Sequence, residues 1–281
     1  MRMKKCLSIL LAVVMIATMI TSLPITANAV DIEAAGVGVD EDKIFHVPSE
    51  DTPTMKDAAD KITEKGAGEY VIELDADINN GAGVSFSGEG VKVTIIGNGH
   101  YFQCPTGQNL QAWYGATLIL GDGESELTLK GGNSGQEAGL VYVFGDNSKC
   151  IMKNKVTLKD HKRNNDLGGG VSVHSGTFIM NGGTIENCGI DGGSVCYGGG
   201  VAVYNGGYFE MNGGTIKDCY VVSSGKSWQT PYVAGGGVFV NNASFVMNGG
   251  LICEPWAAIS KNQDSRPILI APLADFMVQS I

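Results

Sequence analysis

Three stretches of the chain repeat one pattern, and this repeat constrains the fold more than any other feature. Each copy begins with Gly-Gly-Gly-Val-x-Val and continues to Phe-x-Met-Asn-Gly-Gly-x-Ile or a close variant, over residues 168–188, 198–219 and 235–253. The Phe and the Ile are seven residues apart in every copy, whereas successive Phe residues are 31 and then 36 apart. A unit that cannot bury its apolar face alone must stack on its copies. The sequence therefore predicts a solenoid whose coils carry one variable loop.

Each copy also has the pattern of short β-strands. Apolar residues alternate with other residues at period two, as in Val171/Val173 and Phe178/Met180, which places one set of side chains in a core and the other in solvent. Gly and Asn separate these segments and suit corners at which φ is positive. The sequence therefore predicts an all-β solenoid with strands of roughly three to five residues.

The N-terminus predicts a secretory signal peptide over residues 1–29. A basic start at 1–5 precedes an apolar run at 7–20 and an Ala27-Asn-Ala29 cleavage site, which is the order found in export signals. The apolar run is too short to be a typical membrane span. We therefore expect a secreted or cell-surface chain that has no membrane span after cleavage.

Net charge narrows the choice of partners. Removal of the three basic residues of the leader changes the formal net charge from −10 to about −13. Nucleic acids and anionic membranes attract basic proteins, so we expect no nucleic-acid partner. An extracellular glycan or a component of a host or cell surface is compatible with this charge.

The segment before the repeats divides into two parts. Residues 30–50 are acidic and without pattern, and they are predicted to be a flexible lead-in. Residues 51–66 predict an N-terminal cap helix, because Pro53 stands near its start and Gly66 at its end. Such a helix covers the exposed end of a solenoid and blocks pairing at its edge. The repeats then extend over 67–253. The apolar face of the helix consists of Met55, Ala58, Ala59 and Ile62.

The C-terminal segment, residues 254–281, lacks the Gly corners of the repeats and contains three Pro residues. It is either a cap on the last coil or a foreign tail that follows a truncation or a change of reading frame. The residues available to such a cap are Ile268, Leu269, Ile270, Leu273 and Phe276.

The tandem units at 168–185, 198–216 and 235–252, preceded by a segment at 55–102, carry a family resemblance. The chain resembles the right-handed parallel β-helices of the pectin-lyase-like superfamily. More narrowly, it is similar to Gly-rich repeat proteins that gut and rumen anaerobic bacteria secrete. The resemblance covers about residues 55–253 and implies a right-handed parallel β-helix with a short N-terminal capping helix. It implies no single activity, since this superfamily includes polysaccharide lyases, glycoside hydrolases and non-enzymatic surface proteins.

The favoured function is that of a secreted, non-enzymatic β-helix acting at a cell surface, in adhesion or in glycan contact. The outward positions of the repeats offer no pair of carboxylates on adjacent coils, which a glycoside hydrolase needs. Two alternatives stay open. One is a polysaccharide lyase or glycoside hydrolase, and the other is a truncated repeat protein without an independent role.

The candidate catalytic residues lie in one polar stretch before the first clear repeat, residues 159–166. Asp160, His161 and Arg163 supply a carboxylate, a base and a cation there. A solvated turn is the more frequent explanation of such a stretch.

The candidate glycan-binding residues are aromatic and lie between the predicted strands. Their rings can stack on sugars, or they can fold back onto the solenoid. They are Trp113, Tyr114, Trp228 and Tyr232.

The candidate metal ligands are Glu73, Asp75 and Asp77, which alternate along one predicted strand and offer oxygen ligands to calcium. No other cofactor is predicted. The four histidines of the chain show no ligand spacing, so we do not expect a metal site of imidazoles.

Several repeat positions predict ladders between coils. Cys188 and Cys219 occupy the same position and form either a ladder of unpaired thiols or a disulfide. Glu186 and Lys217 also share a position, which predicts an exposed ion pair worth about 0–1 kcal/mol. A ladder of side-chain amides at a buried corner is predicted for Asn181, Asn212 and Asn248.

Overall fold

The structure is a computed structural model of the whole chain. The predicted signal peptide and Trp228 lie outside the residues that it describes. Those residues are 39–79, 81–104, 110–134, 139–164, 166–192, 195–223, 232–259, 268–269 and 276–279.

The described chain winds through its five β-sheets in a fixed order, and each turn makes one coil of a parallel β-helix. The coils of the first two repeat copies have strands in all five sheets, whereas some other coils have described strands in three or four of them. We number the sheets in the order in which a repeat visits them. Sheet 1 takes the Val-x-Val segments, and its strands are Val84–Ser87, Leu110–Trp113, Val141–Phe144, Val171–His174, Val201–Tyr204, Val238–Asn241 and Phe276–Gln279. Sheet 2 takes the Phe-x-Met segments, and its strands are Ile44–Val47, Gly68–Leu74, Val91–Ile96, Thr117–Leu120, Lys149–Met152, Thr177–Met180, Tyr208–Met211 and Ser244–Met247.

The other three sheets complete the coil. Sheet 3 holds the repeat Ile, in strands Tyr101–Gln103, Leu127–Lys130, Val156–Lys159, Thr184–Glu186, Thr215–Lys217 and Leu251–Cys253. Sheet 4 consists of Asn133–Ser134, Lys162–Arg163, Gly189–Asp191, Tyr220–Ser223, Trp256–Ile259 and Ile268–Leu269. Sheet 5 consists of Asp166–Leu167, Val195–Tyr197 and Tyr232–Ala234. Within the described ranges, the named strands pair in parallel except for the last pair of sheet 4, Trp256–Ile259 with Ile268–Leu269.

The core confirms the period-two pattern in sheet 2, but in sheet 1 the residues between the two valines, Ser172, Ala202 and Phe239, are buried as well. The Val-x-Val valines and the Phe and Met of the first two copies are fully buried, whereas the residues between Phe and Met face outward. Equal positions stack from coil to coil: the ring centroids of Phe178 and Phe209 are 5.2 Å apart, and those of Phe209 and Phe245 are 4.7 Å apart. Offset stacks of this kind add about 0.5–1.5 kcal/mol beyond burial. The third copy ends the series in sheet 2, and its Met247 is exposed.

The Gly triplets are explained by lack of space. Gly198 has φ +70°, a conformation that L side chains rarely adopt. A Cβ on the next residue, Gly199, would lie 2.3 Å from the carbonyl oxygen of Tyr220 and 2.4 Å from that of Gly236. The triplet therefore lets neighbouring turns of the backbone come into close contact.

The cap helix forms over Met55–Lys65, and its four predicted apolar residues are its buried ones. Thr54 caps it: the Thr54 hydroxyl accepts from the backbone N–H of Asp57, and the Asp57 carboxylate accepts from the N–H of Thr54. This reciprocal arrangement satisfies two of the donors that a helix start leaves open.

The lead-in differs from its prediction as a patternless segment. A 3₁₀ turn at Glu41–Lys43 precedes the strand Ile44–Val47, which pairs in parallel with the strand Gly68–Leu74. Phe45 and Val47 point inward and are buried. The solenoid therefore begins one strand earlier than the repeats indicate.

Residues 254–281 contribute strands to three places in the described chain. Trp256–Ile259 continues sheet 4, Ile268–Leu269 adds to its edge, and Phe276–Gln279 pairs in parallel with Val238–Asn241 of sheet 1. Ile270 and Leu273 lie outside the described residues. The last strands of sheets 2 and 3 leave apolar side chains exposed, among them Val246, Met247 and Leu251.

The predicted ladders form. Lys217 Nζ lies 3.0 Å from a carboxylate oxygen of Glu186. Cys188 and Cys219 are buried, reduced thiols in neighbouring coils. The Asn ladder forms as well, but it lies at an exposed corner instead of the buried one predicted, because Asn181, Asn212 and Asn248 stand where the chain turns outside the core.

Candidate functional site

An aromatic row crosses the outer face of sheet 1. Trp113, Phe144, His174 and Tyr204 each end one strand of the sheet, and the register places them side by side on consecutive coils. The ring centroids are 5.1 Å apart for Trp113 and Phe144, 4.9 Å for Phe144 and His174, and 4.8 Å for His174 and Tyr204. The four side chains are half-buried, since each ring covers part of the next. The row therefore presents one ring per coil to solvent.

Tyr114 stands at the corner that follows this row. Its φ is +48°, a conformation that Ser175, Asn205 and Asn242 adopt at the same corner of later coils. Asn tolerates this conformation, whereas it costs a residue with a bulky side chain about 1–2 kcal/mol. Strained residues of this kind cluster at functional sites.

The Tyr114 ring is held edge-on and remains accessible. It meets Trp113 at a centroid distance of 5.5 Å and Phe144 at 5.7 Å, both nearly perpendicular. The ring lies beside Gly145, where a Cβ would come 3.5 Å from Tyr114 Cδ1. Tyr114 is 57% exposed. A fixed and accessible ring on a rigid corner is a preorganised stacking surface.

Polar side chains lie near the residue that follows Tyr114. Glu89 packs against Gly115, the residue after Tyr114, and its carboxylate accepts from Asn147 Nδ2 at 3.4 Å. The indole N–H of Trp113 is buried, and no acceptor among the described residues reaches it. An exposed aromatic ring with carboxylate and amide groups nearby matches the needs of a sugar, which stacks by its C–H face and hydrogen-bonds by its hydroxyls.

One further tyrosine, Tyr142, lies beside the row, with its ring centroid 5.7 Å from that of Phe144. Burial is the main reason why the pKa values of Tyr142 and Tyr204 are raised, and the two phenols share a hydrogen bond. The positive charge of Arg163 acts on both in the opposite direction. The phenols are therefore neutral at physiological pH and act as hydrogen-bonding groups.

The structure corrects the prediction for the polar stretch 159–166. A solvated loop was expected, but Lys162–Arg163 forms a strand of sheet 4 that pairs with Gly189–Asp191 and places Arg163 opposite Ile190. Arg163 is thus a buried member of a row whose later members are apolar. This strand could not be predicted from the sequence, because two residues are too few to show the alternation of a β-strand.

The catalytic candidates of this stretch are placed in different environments. Asp160 is exposed at a corner with φ +57° and accepts a hydrogen bond of 2.8 Å from Asn187 Nδ2. His161 is fully buried. Burial, reinforced by the charge of Arg163, lowers the pKa of His161 to about 4. Asp160 and His161 therefore do not meet at one exposed surface.

The metal candidates divide into two groups. Glu73 and Asp75 lie beside His46, and their ligand atoms are all within 4.8 Å of one another. Asp77 instead accepts a hydrogen bond from His100, with Nδ1 and Oδ1 3.2 Å apart. Sequence reasoning missed both histidines, because contact with residues 23 and more positions away depends on strand register.

For the remaining glycan candidates, Trp228 and Tyr232, the structure describes no side chain. Tyr232 begins the strand Tyr232–Ala234 of sheet 5, but its side chain is outside the described part of the chain, as is the whole of Trp228.

The fold and these surfaces define a parallel β-helix whose first sheet carries an aromatic outer row. No family model, curated protein or solved structure matches the chain. No helix among the described residues is long and apolar enough to cross a membrane.

Proposed function

We propose that the protein is a secreted, non-enzymatic β-helix that contacts glycans through Tyr114 and the aromatic row. The observation that carries the proposal is Tyr114 itself, an exposed ring held in a left-handed corner that later coils give to Ser or Asn. The corner does not require Tyr, since Ser175, Asn205 and Asn242 adopt the same backbone conformation in later coils. The predicted signal peptide at 1–29 supports an extracellular setting, at a cell surface or in adhesion.

We further propose kinship with the right-handed β-helices of the pectin-lyase-like superfamily, and an origin among bacterial Gly-rich repeat proteins. The support is the tandem GGGVxV and FxMNGGxI units and the parallel coils that they form. Kinship of this kind fits a scaffold whose function lies in local surface features and not in the fold.

Neutral polysaccharides are the favoured ligands. The chain has a net charge of −10, and Glu89 and the exposed Asp146 stand close to the corner of Tyr114. Like charges repel polyuronates from such a surface, whereas xylans, glucans and mannans meet no such penalty.

Affinity electrophoresis in gels that contain neutral or acidic polysaccharides tests the proposal. The wild type is expected to be retarded by at least one neutral polysaccharide and not by polygalacturonate. Tyr114→Asn removes the ring but suits the corner, and loss of a stacking contact worth about 1.4 kcal/mol weakens binding about tenfold. Tyr208→Ala, which removes a half-buried ring from sheet 2, is the matched control and should bind as the wild type does. Equal retardation of the wild type and Tyr114→Asn would overturn the proposal.

Turnover assays distinguish a non-enzymatic glycan-binding protein from a polysaccharide lyase or glycoside hydrolase. The same polysaccharides are incubated with and without calcium, and reducing ends and unsaturated products are measured. Turnover that is lost in Asp160→Ala and Arg163→Ala would replace the proposal with a lyase or hydrolase. The intact mass of the exported protein tests the remaining alternative, a truncated repeat protein without an independent role.

A further inference from the structure

A histidine and two carboxylates converge on the outer face of sheet 2, near its first edge. His46 Nδ1 lies 3.1 Å from Asp75 Oδ2 and 3.9 Å from Glu73 Oε2. The three residues are half-buried or exposed, so ions in solution reach them. We call this group the His46 cluster, and we propose that it binds one divalent first-row transition ion, for which Zn²⁺ is the probe.

The backbone fixes the cluster before any ion arrives. His46 and Glu73 are register partners in the parallel strands Ile44–Val47 and Gly68–Leu74. The backbone N–H of Asp75 donates to the carbonyl oxygen of Val47 at 2.9 Å, which continues the pairing past the end of the strand. Ligands on paired strands are held more precisely than ligands on loops.

The distances fit the size of a tetrahedral ion. Ligand bonds of about 2.0–2.2 Å at tetrahedral angles separate neighbouring ligand atoms by about 3.3–3.6 Å. The two separations from His46 Nδ1, 3.1 Å and 3.9 Å, lie on either side of this range. The Glu73 carboxylate makes its one ion pair among the described residues with His46, at 3.9 Å, so rotation of the side chain is enough to close the difference. Three protein ligands then leave a fourth position for water.

The charges of the cluster are not balanced by the protein. Among the described residues, the ion pairs of Glu73 and Asp75 are with His46 alone. The nearest Lys of the neighbouring strand, Lys92, pairs with Glu69 at 3.2 Å and leaves the two carboxylates to the histidine. A divalent cation would neutralise both carboxylates at once.

The ligand types decide which cation fits. Calcium and magnesium prefer oxygen ligands throughout, whereas imidazole nitrogen suits zinc, nickel, copper and iron. One imidazole with two carboxylates is therefore a transition-metal set and not the calcium set predicted from Glu73, Asp75 and Asp77. Asp77 is absent from the cluster and pairs with His100.

A bound ion would tie the first strand of the solenoid to the second. Ile44–Val47 is the outermost strand of sheet 2 and has one strand neighbour. Binding to the folded state alone raises stability by mass action. A metal ion in this site would therefore stabilise the pairing of the first two strands at the N-terminal end of the coils.

Isothermal titration of the full, tag-free chain with ZnCl₂ tests the proposal, with unfolding temperature as a second readout. The wild type is expected to bind one Zn²⁺ and to unfold several degrees higher with the ion. His46→Ala and Glu73→Gln should lose both effects. His100→Ala is the matched control, because it removes a histidine paired with only one carboxylate, and it should behave as the wild type does.

Co²⁺ provides a spectroscopic check that does not depend on stability. A tetrahedral site gives a strong visible band with Co²⁺, and this band should be lost in His46→Ala and kept in His100→Ala. A Cys253→Ser background excludes capture by the most accessible thiol among the described residues. The proposal is overturned if no Zn²⁺ binds, if binding survives in His46→Ala, or if Ca²⁺ binds in preference to Zn²⁺.

Discussion

The side-chain amide of Asn212 donates a hydrogen bond of 3.0 Å to Asn181 Oδ1 in the coil before it, and its own oxygen accepts one of 2.7 Å from Asn248 in the coil after it. The middle member of the ladder therefore takes part in two bonds and each end member in one. All three amides are exposed, so water competes for each bond and the net value of each is about 0.5–1.5 kcal/mol.

Asn212→Ala is expected to lower the free energy of unfolding about twice as much as Asn248→Ala. Urea unfolding of both variants measures the ratio. Equal losses would mean that the amides stabilise their own corners and that the contacts between coils add nothing.

The second Gly of a triplet should tolerate no side chain. A Cβ on Gly199 meets two backbone carbonyl oxygens at 2.3 and 2.4 Å, and neither of these atoms can move without shifting a strand. Gly199→Ala is expected to cost more than about 3 kcal/mol or to prevent folding. Gly206→Ala is the control: its φ is +85° but no atom lies within 4 Å of the added Cβ, so it carries only backbone strain of about 1 kcal/mol. Thermal unfolding compares the two, and similar losses would contradict the steric explanation.

The solenoid was predictable from sequence because its coils repeat. The seven-residue spacing from Phe178 to Ile185 recurs in the other two copies, which indicates the same strand, corner and strand in each coil. Stacking of the coils follows from the need to bury the apolar face. The cap helix was also predictable, since Thr54 and Gly66 mark its ends. Both features are local or periodic, and that is what a sequence pattern can report.

The site residues were harder to place, for reasons that differ. Tyr114 was a candidate, but its left-handed corner was not expected, because a tyrosine is a poor residue for positive φ. Arg163 reads as a solvated charge, and only the register of a two-residue strand shows that it takes the place of Ile190. His46 contacts Asp75, which lies 29 positions later in the sequence. The strand that carries His46 lies outside the repeats, so no repeat pattern predicted it.

His161 should make stability depend on pH. Its folded pKa of about 4 lies below the usual value near 6.5, so between these values the unfolded chain binds a proton that the folded chain excludes. The stabilisation is complete above pH 6.5 and is lost as pH falls towards 4, by about 2 kcal/mol at pH 5. Urea unfolding at pH 7 and pH 5 should show this loss in the wild type and not in His161→Gln. The same change in both would contradict it, since the carboxylates that titrate in this range are common to the two proteins.

Buried thiols should make the folded chain resistant to alkylation. Burial raises the pKa of Cys104 and of Cys219 to about 12 and raises those of Cys150 and Cys188 as well. An ordinary thiol with a pKa near 8.5 becomes far more reactive between pH 7 and pH 9, because the thiolate is the nucleophile. These four should not, and mass spectrometry after iodoacetamide treatment should find label at Cys253, the only partly exposed cysteine of the described chain, before any of them. The folded pKa values exceed the unfolded ones, so the stability that these thiols contribute is present below about pH 8.5 and declines as pH rises towards 12. Rapid labelling of Cys188 and Cys219 in the native protein at pH 9 would show that the coils open there, and it would place the weakest contacts of the solenoid between the third and fourth sheets of the repeat.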